Sequence, residues 1–383
     1  MMINQVSKRS NFTLVFSLIV LLFTLRSYYF YSISLAPTPV LGALMLVGAL
    51  FFYRVGIRDS ELKALAILMF IFTCSILPAF FSDSPYLNSI LGLIINLFIF
   101  SSIMFLKRHI YDYLFGINYV LVIHCFFFFL QFFFYYFLGE KLDFLEPITG
   151  EVQRVAGYER IAEQGGIAIF RPSGLFSEPS SYCVFLITLL WVLKIANKQS
   201  KFAEASVLLT ILSSFSISGI VFACAYVLLN YSRSIKLREF LLGIGILSVL
   251  FYISFDHISS YFEYRILNLG DDSSAEERLK MFTLFKELEW HVQLFGSGVG
   301  NDIFDIPLTT IPSLLVYLGI FGTFMFFVFL VYSYHIFSLS KKTVVFFILI
   351  TFNFYKISNP YVWFILSLLF IVSYEYNRNR NNA

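Results

Sequence analysis

Charge is what this chain has least of. Only 13% of its 383 residues are Asp, Glu, Lys or Arg, against 58% that are hydrophobic. A soluble domain is about a quarter charged, so a soluble globular protein is excluded and no nucleic-acid partner is expected. Cysteine is scarce as well. Cys74, Cys125, Cys183 and Cys224 all fall inside apolar runs with no metal-ligand spacing. They read as small buried hydrophobes, not as disulfide or metal partners. The first apolar run follows Lys8 and Arg9 but lacks a small-residue cleavage site, which favours a first membrane span over a signal peptide. Titratable side chains are nearly missing from the runs, with His124 the clearest exception.

What the chain has in abundance is apolar sequence, with a mean hydropathy of +0.79. Runs lie near 12–30, 38–53, 63–81, 86–106 and 113–138, then 179–196, 203–230 and 239–256, and finally 309–337, 343–358 and 360–376. Most are close to the roughly 20 residues a membrane helix needs. Short basic clusters (Arg54/Arg58/Lys63, Lys107/Arg108, Lys194/Lys198/Lys201, Arg233/Lys236/Arg238, Lys341/Lys342, Arg378/Arg380) separate many of them. Basic residues concentrate on the cytoplasmic side.

Run 203–230 is long for one span, and one span would put Lys194–Lys201 and Arg233–Arg238 on opposite faces. A hairpin of two short helices, broken near Ser213–Gly219, puts both clusters inside. The expected fold is therefore an all-α polytopic integral membrane protein of about 12 transmembrane helices with both termini cytoplasmic. Residues 1–138 carry spans one to five and 139–178 form a first large outside loop. Spans six to nine follow in 179–256, a second large outside loop in 257–308, and the last three spans with a cytoplasmic tail in 309–383.

That topology leaves the outside face net acidic, so its arginines Arg154, Arg171, Arg265 and Arg278 are not a generic basic skin. Arg171 opens Arg171-Pro172-Ser173-Gly174-Leu175-Phe176-Ser177-Glu178-Pro179-Ser180-Ser181. Pro172 and Gly174 forbid a continuous helix. Ser177-Glu178-Pro179 reads as a helix start with a capping hydroxyl or carboxylate, and a helix start is a place suited to anions. In the second loop, 271–279 resembles an acid-rich helix start, continuing amphipathically to Trp290. Leu294-Phe295-Gly296-Ser297-Gly298-Val299-Gly300 has no βαβ unit around it, so it is no dinucleotide fingerprint. It reads as a tight turn where backbone approaches a neighbour or a ligand.

Together these features resemble the O-antigen polymerases of the Wzy type and, more broadly, the O-antigen polymerase/ligase superfamily. The residues that carry the likeness are 171–181, the Ser-x-Ser break at 214–216, Ser274-x-x-x-Arg278-Leu279, the turn at 294–300 and Tyr317-Leu318-Gly319-Ile320-Phe321-Gly322. The resemblance implies a GT-C-like glycosyltransferase architecture in a bacterial inner membrane, with the active site on the periplasmic side. It implies inverting transfer of an undecaprenyl-diphosphate-linked glycan to a sugar hydroxyl of another lipid-linked repeat unit. Neither metal nor other cofactor is called for, and a chain-length regulator in the same membrane is the expected partner.

Within that reading, Arg171 and Arg278 would stabilise charge developing on the diphosphate. Glu178 would orient or deprotonate the acceptor hydroxyl. Arg265, Arg154 (through an Arg-x10-Gly spacing to Gly165), Ser177, Gly296 and Gly298 complete the substrate-binding set. The competing account makes both arginines rim ion pairs with acids such as Glu178 or Glu277, and Glu178 a structural helix-start carboxylate. The Phe-rich stretch 126–137 is a candidate surface for the polyprenyl tail.

Ligases of the superfamily carry a His after the Gly-rich turn. Here 301–307 contains none, and His291 precedes the turn. The polymerase therefore ranks first and the ligase second. A lipid-linked glycan flippase or other transporter ranks third, because repeated halves are not apparent and the polar chemistry lies in two outside loops.

Overall fold

A computed structural model describes residues 2–25, 37–53, 56, 58–76, 87–149, 153, 170–231, 282–298, 310–351, 357 and 359–381. The apolar runs within them are helical, and no strand occurs among the described residues. The first five long helices are α1 (Met2–Thr24), α2 (Pro37–Phe52), α3 (Asp59–Ile76), α4 (Leu87–Phe105) and α5 (Ile110–Leu138). A short α6 (Glu146–Thr149) precedes α7 (Pro179–Ile195), α8 (Lys201–Ser213) and α9 (Ile217–Tyr231). Then come α10 (Trp290–Phe295), α11 (Thr310–Ile336), α12 (Lys341–Thr351) and α13 (Pro360–Asn381). Run 239–256 and most of loop 257–308 lie outside the described residues.

Two helices form the centre. Helix α7 is buried on every side from Tyr182 to Leu193, as expected for a helix that is apolar all round. Helix α13 is buried from Tyr361 to Val372 and packs against α4, α7 and α1. Its Trp363 is enclosed by the rings of Phe72, Phe100 and Phe326 at 5.0, 6.1 and 6.2 Å. Tyr361 joins the two central helices through the hydroxyl of Thr188, 2.8 Å away.

The outer faces stay apolar, with Phe51, Phe126, Phe137 and Phe324 largely exposed. Apolar surface this extensive is unsuited to water. Lys107–Leu138 and Thr310–Ile336 are long and apolar enough to cross a membrane, and several shorter apolar helices accompany them.

Run 203–230 is two helices. Helix α8 ends at Ser213, α9 begins at Ile217, and Phe215 takes a left-handed φ of 51° between them. The pair is antiparallel. Glu204, in the first turn of α8, accepts hydrogen bonds of 2.6 Å from both Tyr226 and Tyr231 near the end of α9. Lys194, at the end of α7, lies 3.7 Å from the same carboxylate. Lys194 and Tyr231 therefore sit at one end of the bundle and the Ser214–Ser216 break at the other. Arg58 likewise meets Glu375, and Lys107 meets Glu61.

Candidate active site

Segment 170–178 is built from the middle of the chain outward. Helix α5 stops at Gly139, whose φ of 72° lets the amides of Gly139 and Glu140 close back onto Tyr135 and Phe134. Its last two turns carry Tyr135 and Tyr136. The Tyr135 ring stacks on Phe170 at 4.4 Å, and the Tyr136 hydroxyl donates to the Phe170 carbonyl at 2.9 Å. Gly174 has a φ of +58°, and the closest atoms a Cβ there would meet are the backbone of His124 and Phe128. Glycine is called for here by the left-handed turn, since a Cβ would make only ordinary contact with α5.

Two buried amides then fix the turn. Oε1 of Gln131, on α5, accepts the N–H groups of Ser173 and Gly174 at 3.0 and 2.8 Å. Its Nε2 donates to the Leu142 carbonyl at 2.8 Å and to Oε1 of Gln153 at 2.5 Å. Gln153 donates in turn to the carbonyls of Gly174 and Phe176 at 2.7 and 2.9 Å. Asp143 receives the Gln153 N–H at 2.7 Å, and also those of Leu145 and Glu146. Gln131 uses all four of its hydrogen-bonding positions.

Helix α7 starts as expected, with Pro179 in the first helical position after an extended Glu178. The expected side-chain cap is not there. Glu178, at the cap position, makes no side-chain capping bond; its carboxylate accepts from Ser180 Oγ at 3.4 Å.

Arg171 emerges above this turn, and its Nε donates to the carbonyl oxygen of Ser214 at 3.4 Å. The break between α8 and α9 frees that carbonyl from helical pairing. Ser214 Oγ donates to Ile211 at 2.7 Å, so Cys183 on α7 must be the donor in its 3.1 Å contact with the same oxygen. Gly219 lets α9 approach α7 here, because a Cβ would lie 2.5 Å from Cys183 Sγ. Among the described residues Arg171 makes no ion pair, and its one side-chain hydrogen bond there is the one to Ser214. The rim pair with Glu178 does not form.

The Gly-rich turn at 294–298 belongs to a different helix. Helix α11 is interrupted at Gly319, where φ 65° and ψ −174° break the ladder. The amides of Ser297 and Gly298 donate to the carbonyls of Val316 and Tyr317 at 2.8 and 3.1 Å. A Cβ on Gly296 would collide with Tyr317, and one on Gly319 with Leu294 and Gly296. The neighbour that Gly296 and Gly298 approach is thus the broken backbone of α11. The helix expected to reach Trp290 is interrupted: 282–287 are helical, Leu288 bends, and α10 restarts at a largely exposed Trp290.

Arg154, Arg265 and Arg278 lie outside the described residues. Among the described ones, the structure joins Arg171 to the Ser214–Ser216 break and places Ser177 and Glu178 at the start of α7. It places Gly296 and Gly298 on α11. Within 126–137, Phe128 is core, stacked on Tyr182 at 5.1 Å, while Phe126, Phe129, Phe133 and Phe137 face outward. Gln131 and Gln153 escape sequence reasoning; the only hint is a lone amide at position 131 within a run of phenylalanines. Among the described residues no three His, Cys, Asp or Glu side chains are grouped to hold a metal ion. No protein-family model matches the chain, and no curated protein matches it in sequence.

Proposed function

We propose that this chain is a membrane glycosyltransferase that polymerises lipid-linked repeat units, as O-antigen polymerases do. One observation carries the reading. The backbone on either side of Arg171 is held, at Phe170 by the Tyr136 hydroxyl and at Ser173 and Gly174 by the buried Gln131 amide, and Arg171 Nε touches a helix break. A guanidinium carried on a backbone held in this way suits an anion it must grip during a reaction. The two sequence motifs that meet there, 171–181 and 214–216, are both among those that resemble the polymerases.

In the reaction, the acceptor hydroxyl oxygen bonds to the anomeric carbon from the face opposite the leaving group. The carbon–oxygen bond to the diphosphate breaks, and undecaprenyl diphosphate departs with the electron pair. Arg171 and Arg278 offset the growing negative charge. Glu178 takes the hydroxyl proton. Arg154, Arg265 and Ser177 hold sugar or phosphate. The site faces the periplasm of a bacterial inner membrane, in a bundle of twelve spans with cytoplasmic termini and GT-C-like architecture, alongside a separate chain-length regulator.

The direct test is purified protein with synthetic undecaprenyl-diphosphate-linked repeat units. The reading predicts dimers and longer glycans on the lipid, with release of undecaprenyl diphosphate. Transfer only to a lipid A–core acceptor would point to a ligase, and no transfer to either acceptor would remove the enzyme reading.

A further inference from the structure

We infer that Gln131 and Gln153 are positioning residues for Arg171, an amide clamp that aims its guanidinium before any ligand arrives; this rests on the reading of Arg171 as a diphosphate-binding group. The segment that bears Arg171 has no helix or strand to hold it. Its backbone is fixed instead on both sides of the arginine. Tyr136 holds Phe170, Gln131 holds the amides of Ser173 and Gly174, and Gln153 holds the carbonyls of Gly174 and Phe176.

Both glutamines are buried, at 1% and 2% exposure. A buried amide is tolerated only when its partners are supplied. The direct bond between Gln131 and Gln153 sets which end of each faces the turn: the Gln131 oxygen toward two N–H groups, the Gln153 nitrogen toward two carbonyls. Flipping either amide would set like against like. Each carbonyl or N–H that lost its partner would remain buried, so the turn cannot shift by small steps. Such over-determination is what a preorganised charge requires, because an anion site that must reorganise loses part of its binding energy to ordering.

Asp143 extends the clamp into the first loop through the Gln153 amide. Arg171 is therefore aimed jointly by a membrane-type helix and by a loop residue 18 positions before it.

The experiment measures undecaprenyl diphosphate binding to the purified full-length protein in detergent, for wild type, Arg171→Ala, Gln131→Met, Gln153→Met and the two double variants with Arg171→Ala. Arg171→Ala is expected to weaken binding about tenfold or more. Gln131→Met and Gln153→Met are expected to weaken it several-fold on their own and to add nothing once Arg171 is gone, the mark of residues acting through one another. Hydrogen exchange at the Ser173 and Gly174 amides should rise in Gln131→Met, with the rest of α5 and α7 protected as in wild type. Gln131→Asn, shorter by one methylene but with the same amide, serves where Gln131→Met fails to purify, and the same non-additivity is expected of it. Glutamine effects that persist undiminished without Arg171 would overturn the positioning role. Unchanged binding in Arg171→Ala would instead overturn the reading on which it rests.

Discussion

Nε of Arg171 lies 3.4 Å from the carbonyl oxygen of Ser214, across 43 positions of sequence. The contact joins the turn before α7 to the gap between α8 and α9. It also explains why the gap is polar: Ser214 and Ser216 satisfy the backbone that the helices leave open, with Ser214 Oγ accepting from the Ser216 amide and Ser216 Oγ from the Gly219 amide. Irregular backbone inside a membrane is tolerable only where protein surrounds it or a cavity reaches it.

The hairpin gives a topological prediction. Lys198→Cys and Asn230→Cys, each in a background without the four native cysteines, should react with a membrane-impermeant thiol reagent from the same side, the cytoplasmic one. Labelling from opposite sides would mean a single span and would break the antiparallel pairing of α8 with α9.

Glu204 holds that hairpin closed. Glu204→Ala would leave the Lys194 ammonium and the Tyr226 and Tyr231 hydroxyls facing a gap where the carboxylate stood. Breaking one side of a buried pair costs about 3 kcal/mol or more. Thermal unfolding in detergent should show a lower midpoint for Glu204→Ala than for Glu204→Gln, which retains an acceptor oxygen. Equal midpoints would show that the pairing contributes little.

Gly174 and Gly48 make a matched comparison. A Cβ at Gly174 would have to adopt a φ of +58°, whereas at Gly48, within α2, it would meet nothing within 4 Å. Gly174→Ala should destabilise by about 1 kcal/mol. Gly48→Ala should be neutral or should stabilise by up to about 1 kcal/mol. Unfolding midpoints that shift in the same direction for both would contradict the left-handed turn.

Gly296 and Gly319 interlock, so their substitutions should not add. Either Gly296→Ala or Gly319→Ala alone forces the turn off α11, and the double variant should be about as unstable as the worse single one. Unfolding midpoints of the three proteins check this, and additive losses would mean the two glycines act independently.

Much of this was legible in the sequence, for reasons that differ by element. Apolar runs bounded by basic clusters gave the positions of α2, α4, α7 and α11 to within a residue or two, because hydropathy alone decides them. Charge parity located the break in 203–230, and the serine-rich stretch 213–219 contains the actual turn. The start of α7 followed from Pro179, whose ring fixes its own φ. Glu178 did not cap it, since capping depends on a rotamer that sequence does not fix. The Gln131–Gln153 clamp was invisible, because a buried amide is recognised by what faces it and its partners come from three separate segments. The docking of Gly296 on Gly319 was half visible: the turn at 294–300 read as a close approach to a neighbour or a ligand, but nothing in it named Gly319, which lies inside an apolar run.

The central claim is that Arg171 works on the substrate and is not a rim residue, and glycan laddering in the host tests it most directly. Wild type and Arg171→Ala are compared at matched expression and membrane insertion. The account predicts that Arg171→Ala abolishes the ladder while single repeats still reach the lipopolysaccharide core. An unchanged ladder would contradict it.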